Sequence, residues 1–315
     1  VKRTGFALIA GMLIMNGCVT TGFRAGAPEG EIDVIAHRGA SAYAPENTLA
    51  AFKLAKEQNA DWFELDCTLS KDGEVVVIHD NDTERTTGMP GKVAEKTLAD
   101  LRKLDAGSWK APKFAGERLP TLAESLDLAK DVGIGVYVEI KDSANDYALM
   151  RRILDYAGDT PTLSKRQLRR VCGMIRDSRS RNYALTRKVI TQIRERNMTR
   201  QAVIQSFSPV ICAVALAEAP DVQTEFLAAK DEDKPEQWPK VLRWEELLRP
   251  AGFNLHQGSV EPALVQRLHN QGKTIAVWTV DDEPTMRRLA GWGVDAIITN
   301  KPDLCLGALD RNTQK

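Results

Sequence analysis

Several common activities are argued against by what this chain lacks. It has 43 Lys and Arg against 43 Asp and Glu, a formal net charge of zero, so the whole-chain balance gives no electrostatic reason to expect nucleic-acid binding. No GxGxxG and no GxxxxGK[ST] follows a strand-like run, which leaves a nucleotide site without support. Among the five cysteines no pair has the spacing of a metal motif. Cys67, Cys172, Cys212 and Cys305 sit in apolar or element-like settings and read as buried free thiols, with a single bridge left open. The apolar run from Phe6 to Met15 is too short to span a bilayer comfortably. Histidine is scarcer still, with only His37, His79, His256 and His269.

That apolar run, preceded by Lys2 and Arg3, has the basic and apolar regions of an export signal rather than of a buried N-terminal helix. It resembles a bacterial lipoprotein signal, in which a small residue precedes a cysteine that becomes lipidated. Residues 1–17 are then the signal and Cys18 the first mature residue. The glycine-rich stretch 18–31 is a flexible tether, and residues 32–315 form a single domain. Val19 stands where inner-membrane retention would place aspartate, which favours an outer-membrane anchor facing the periplasm. Without lipidation the product would be soluble in the periplasm.

A composition of 43% hydrophobic and 27% charged residues over 315 positions suits one large α/β barrel or two smaller domains. The chain is organised around Val34-Ile35-Ala36-His37-Arg38-Gly39, a buried strand ending where a loop begins. The same grammar recurs at Phe63-Glu64-Leu65-Asp66, at Val76-Val77-Ile78-His79-Asp80 and at Val136-Tyr137-Val138-Glu139-Ile140-Lys141. Strands are read at about 61–67, 75–79, 134–140, 202–207, 222–227, 253–256, 274–278 and 295–300. Between them lie helices capped by Asn47 or Thr48, by Thr121, by Ser259 and by Asp282, with three more near 146–156, 165–175 and 183–197. Residues 68–74 are too few for a crossover helix, so a parallel third strand would require an extended return. Residues 81–120, Gly- and Pro-rich with one short helix near 97–104, read as a loop inserted over the barrel mouth. The expected fold is a TIM (β/α)8 barrel with a small insertion after the third strand; an open doubly wound sheet is the alternative.

Strand ends are where such a barrel does its chemistry. Glu64 and Asp66, two apart on one strand, point the same way, and Glu139 can join them if the barrel closes. Inward carboxylates repel one another unless something neutralises them. A hard cation, Mg²⁺ or Ca²⁺, suits oxygen ligands; the alternative is a salt-bridge network around Arg38 and Lys141. Those two cations also suit a bound phosphate. His37 and His79 can respectively take and give a proton, or the reverse. Together these groups describe a metal-held phosphodiester with an imidazole on either side of phosphorus. Residues 165–200 hold twelve Lys or Arg against two Asp or Glu, read as a solvated face first and as a lipid or anion surface second.

The sequence resembles the glycerophosphodiester phosphodiesterase family over roughly residues 33–304. The resemblance rests on His37-Arg38-Gly39, Pro45-Glu46-Asn47-Thr48, Glu64-Leu65-Asp66, Asp72-Gly73, His79-Asp80, Gly116 to Leu122, Glu139-Ile140-Lys141, Gln205-Ser206-Phe207, Val277 to Val280 and Ile298 to Pro302, in that order. It implies a TIM barrel and a metal-dependent split of glycerophosphodiesters into sn-glycerol 3-phosphate and an alcohol. It places metal ligands at Glu64, Asp66 and Glu139, acid/base histidines at His37 and His79, and phosphate contacts at Arg38 and Lys141. The substrate's own glycerol hydroxyl would attack phosphorus to give a cyclic phosphate that water opens. Trp278 would wall the glycerol pocket or pack in the core, and Gly39 would turn the backbone without crowding the metal. Two other readings stay open: a lysophospholipase D acting on lysophospholipids, and a non-catalytic lipoprotein that binds phosphodiesters.

Overall fold

The computed structural model describes residues 30–311. The expected export signal, the expected lipidation site Cys18 and most of the expected tether lie outside the described residues. Nine strands form one sheet: β1 (Asp33–Ala36), β2 (Trp62–Leu69), β3 (Val75–Val77), β4 (Gly135–Ile140), β5 (Ala202–Ser206), β6 (Gln223–Ala228), β7 (Gly252–His256), β8 (Ala276–Trp278) and β9 (Ala296–Thr299). Eight of them are parallel and close on themselves: β1 pairs with both β2 and β9, and β3 alone stands outside the ring. This is the expected TIM barrel.

The period of two along each stave explains its two environments. Phe63, Leu65 and Cys67 of β2 and Val136, Val138 and Ile140 of β4 face outward, into one core with Phe52 and Leu126 of the surrounding helices. Trp62, Tyr137, Val203, Ala296 and Ile298 face inward and close the barrel interior. Glu64 and Asp66 share Trp62's parity, so the same alternation that buries the outer face also delivers two carboxylates inside. The β2–β4 register sets Asp66 opposite Glu139.

The helices begin where cap chemistry allows. α1 (Leu49–Glu57) starts at Thr48, whose hydroxyl accepts from the Ala51 amide. The short helices α2 (Glu84–Thr87) and α3 (Leu98–Leu101) lie in the inserted segment. α4 (Leu122–Val132) begins at a capping box formed by Thr121 and Glu124. α5 (Tyr147–Ala157), α6 (Lys165–Asp177) and α7 (Arg181–Glu195) together occupy a crossover that needs only one helix. α8 (Pro209–Glu218), α9 (Trp238–Leu248), α10 (Pro262–Asn270), α11 (Glu283–Trp292) and α12 (Pro302–Ala308) complete the layer. Leu185, Val189, Ile190 and Ile193 form the buried face of α7. Cations on α7 and at its C-cap reach neighbouring acids, Arg187 pairing with Glu218, Arg194 with Asp221 and the C-cap Arg196 with Asp127. The basic stretch is to that extent a solvated, ion-paired face. Among the described residues no helix is long and apolar enough to cross a membrane.

Three expectations change. β3 is antiparallel to β2, with Cys67 opposite Val77, so it is one arm of a hairpin and not a stave. The short link permits nothing else, because parallel neighbours require a crossover of a dozen or more residues. The insertion therefore begins with this hairpin and carries its own small core of Val76, Ile78, Val93, Leu101 and Leu119. It holds two short helices rather than one. Ser259 does not cap α10, which starts at Glu261; its hydroxyl accepts from the Lys230 amide instead.

Candidate active site

At the carboxyl ends of the strands a cavity of about 140 Å³ is lined by His37, Arg38, Glu64, His79, Glu139, Lys141 and, on its far wall, Phe207 and Trp278. The expected acid/base, phosphate-binding and metal-binding residues come together here, with Asp66 in the same carboxylate cluster as Glu64 and Glu139. Glu64, Asp66 and Glu139 are buried and offer oxygen atoms within 4.8 Å of one another. Glu64 Oε2 accepts from the Arg38 amide at 2.9 Å, whereas its buried Oε1 has no hydrogen-bond partner. Burial and the charges of Asp66 and Glu139 push the Glu64 carboxyl well above the usual range. Burial and Asp66 likewise push Glu139 up to about 7, even with Lys141 Nζ at 2.8 Å. Burial alone would raise Asp66 too, but Arg38, Lys141 and the Asn47 amide hold it down to about 2.

An unpartnered buried carboxylate oxygen inside a triad of hard donors fits a divalent cation. The Arg38–Lys141 network expected as the alternative is also present, and it serves chiefly Asp66, with Arg38 Nε at 3.3 Å and Lys141 Nζ at 3.4 Å. It leaves Glu64 Oε1 unpaired. The basic side chains therefore leave donors over for a cation, and the two arrangements do not exclude one another.

The two histidines are held in the same way from opposite sides. His37 Nδ1 lies 2.8 Å from Asn300 Oδ1. The Asn300 amide nitrogen donates to Asp281, which turns its oxygen towards the imidazole. His79 Nδ1 lies 2.6 Å from Asp80 Oδ1. An acceptor at Nδ1 fixes the proton there and leaves Nε2 with its lone pair in each ring. Burial, then the Arg38 charge, lowers the His37 imidazole to about 4, which leaves it neutral near pH 7.

The loop carrying Arg38 is built around unusual backbone. Arg38 and Asn47 both have φ near +55°, a region that non-glycine residues seldom occupy without local support. The support is visible: the Asn47 amide donates to the Arg38 carbonyl, and the Asn47 side chain both donates to Asp66 Oδ2 and accepts from the Asp66 amide. Asn47 thus orients a carboxylate rather than capping α1. Gly39 turns the backbone at φ +80°, as expected, and a second constraint also requires glycine there. A Cβ there would lie 2.6 Å from the Ala51 backbone, so glycine lets the loop pack on α1.

Trp278 lines the cavity and also packs edge-on against Phe207 and His256. His256 accepts from the Gly258 amide, and His269 pairs with Asp295 on the surface, so neither enters the cavity. The four described cysteines are buried and free. Sequence reading missed the roles of Glu46, Asn47, Asp80, Arg85, Asp281 and Asn300. Asp80 had a signal, being adjacent to a strand-end histidine; Asn300 lay in a recognised motif without an assigned partner.

Comparison with known proteins agrees with this geometry. The profile of the glycerophosphoryl diester phosphodiesterase family matches residues 37–157 and 162–304. The chain belongs to that family. It is 36% identical over 271 residues to a glycerophosphodiester phosphodiesterase of Caldanaerobacter subterraneus subsp. tengcongensis, covering 86% of this chain and 94% of the other. To a glycerophosphodiester phosphodiesterase of Bacillus subtilis it is 31% identical over 290 residues, covering 86% and 84%. The solved structure of an Oleispira antarctica phosphodiesterase, in complex with the product sn-glycerol-3-phosphate, superposes with a TM-score of 0.68 at 26% identity, covering 88% and 96%. Membership makes the chain an enzyme of the phosphoric diester hydrolase class, acting on glycerophosphodiesters.

Proposed function

We propose that the chain releases sn-glycerol 3-phosphate from glycerophosphodiesters by two-histidine acid/base catalysis, with a divalent cation, Mg²⁺ or Ca²⁺, held by Glu64, Asp66 and Glu139. The observation that carries this reading is the unpartnered Glu64 Oε1 within a buried carboxylate triad, flanked by two imidazoles pinned at Nδ1. The cation, when bound, supplies charge stabilisation at the phosphoryl oxygens. Arg38 and Lys141 line the same cavity and orient the phosphate. Nε2 of one histidine takes the proton of the substrate's glycerol hydroxyl as that oxygen attacks phosphorus. Nε2 of the other, protonated, gives its proton to the departing alcohol. The resulting cyclic phosphate is opened by water with the two roles exchanged. Trp278 and Phe207 wall the glycerol. The export signal and Cys18 support an anchored, periplasm-facing enzyme.

A second reading, action on lysophospholipids, is favoured by one observation. A groove of about 820 Å³ adjoins the cavity at Phe207 and is lined by Val93, Tyr147 and Met150 among others. One assay separates the readings: release of glycerol 3-phosphate from glycerophosphocholine, and of choline from lysophosphatidylcholine, each with and without a chelator. Chelator-sensitive turnover of the first substrate alone supports the primary reading. Turnover of the second alone replaces it, and binding of both without turnover restores the non-catalytic alternative.

A further inference from the structure

The inserted segment does more than cover the mouth. Arg85, on α2, donates through Nε to Asp80 Oδ2 at 2.6 Å and through Nη1 and Nη2 to the two oxygens of Glu46 at 2.8 and 2.7 Å. The other Asp80 oxygen holds His79 Nδ1, and Glu46 Oε1 also accepts from Arg38 Nη1 at 2.9 Å. Five hydrogen-bonded side chains, His79, Asp80, Arg85, Glu46 and Arg38, with the two carboxylates alternating between nitrogen donors, therefore run from one wall of the cavity to the other. Arg85 is their midpoint, and its planar fork fixes both carboxylates at once.

We propose that Arg85 is a positioning residue that sets the orientation of His79 and of Arg38 together. This rests on the roles given above to those two residues. Arg85 is 46% exposed, and ion pairs at such sites add little to stability. Its three bonds therefore act mainly on geometry. Without it Asp80 is free to rotate away from His79. Glu46 is left with Arg38 alone, and the guanidinium that faces the phosphate loses its brace.

The test is Arg85→Ala beside Arg85→Lys, Asp80→Asn and the double variant Arg85→Ala/Asp80→Asn. Arg85→Ala should keep the wild-type melting temperature within a few degrees while kcat falls roughly 10- to 100-fold, the usual cost of losing an outer partner. KM should rise through Arg38. Methylguanidinium added to Arg85→Ala should restore part of kcat, and lysine, a point charge without the fork, should restore less than arginine. The kcat losses of Arg85→Ala and Asp80→Asn should not add, because both act through His79. Independently of turnover, the downfield Nδ1–H proton resonance of His79 should be lost in Arg85→Ala. Unchanged kinetics and resonance, fully additive losses, or an activity loss that only follows loss of folded protein would overturn the proposal. A wild type that shows the resonance but turns over no diester would instead overturn the functional reading.

Discussion

Two acidic sites lie inside this barrel, and they are satisfied in opposite ways. Deeper in, Glu225 is fully enclosed, and its oxygens accept from Gln223, Thr274 and Asn254, with Gln205 bonded to the same Asn254 amide. Burial raises its carboxyl, but every oxygen has a donor. At the mouth, Glu64 is just as buried, stands beside two more carboxylates, and leaves one oxygen without a donor. Neutral amides and hydroxyls suffice where a site only has to be stable. A carboxylate cluster left short of donors is costly to the fold alone, and that cost has a reason if a cation completes the site.

The two sites should differ most in their effect on turnover. His37→Ala and His79→Ala should each lower kcat by about 10²- to 10⁴-fold, the range for removal of a positioned acid or base, with the melting curve unchanged. Glu225→Gln should leave kcat/KM near wild type, since it touches only the deeper network. A large activity loss from Glu225→Gln would mean that the two sites act as one. Next in size is stability. Glu225→Ala strands the buried Asn254 amide and its neighbours and should cost about 2–3 kcal/mol in urea unfolding. Smallest is the reverse effect at the mouth. Glu64→Gln can keep its bond from the Arg38 amide while replacing a carboxyl whose ionised form the cluster disfavours, and without added cation, in buffer alkaline enough to ionise that carboxyl, it should stabilise the fold by about 1 kcal/mol. Destabilisation by this variant under the same conditions would show that the cluster is already balanced.

Much of the site was legible because barrel staves advertise their ends. Apolar runs that finish in His37-Arg38, Glu64-Leu65-Asp66 and Glu139-Ile140-Lys141 carry both the buried strand and the groups at its mouth, within a few residues. The direction of β3 was not, since Val75–Val77 looks alike in either orientation and only the short turn before it decides. Nor were the partners that hold the reacting groups. Asn300 meets His37 across 263 positions of sequence, and Arg85 meets Glu46 only because the insertion folds back over the first loop. Ser259 shows the limit of cap signals: a hydroxyl before a helix pattern accepts instead from the Lys230 amide, 29 positions away in sequence.

If Glu64, Asp66 and Glu139 hold a divalent cation, the folded protein should bind it without substrate. That binding is tested most directly by calorimetric titration of Mg²⁺ and Ca²⁺ into chelator-stripped wild type, Glu64→Gln and Glu139→Ala. Saturable binding of one ion by the wild type is expected, weakened at least tenfold in both variants, roughly 1.4 kcal/mol or more. Equal affinity in all three proteins, or no binding by the folded wild type, would contradict it.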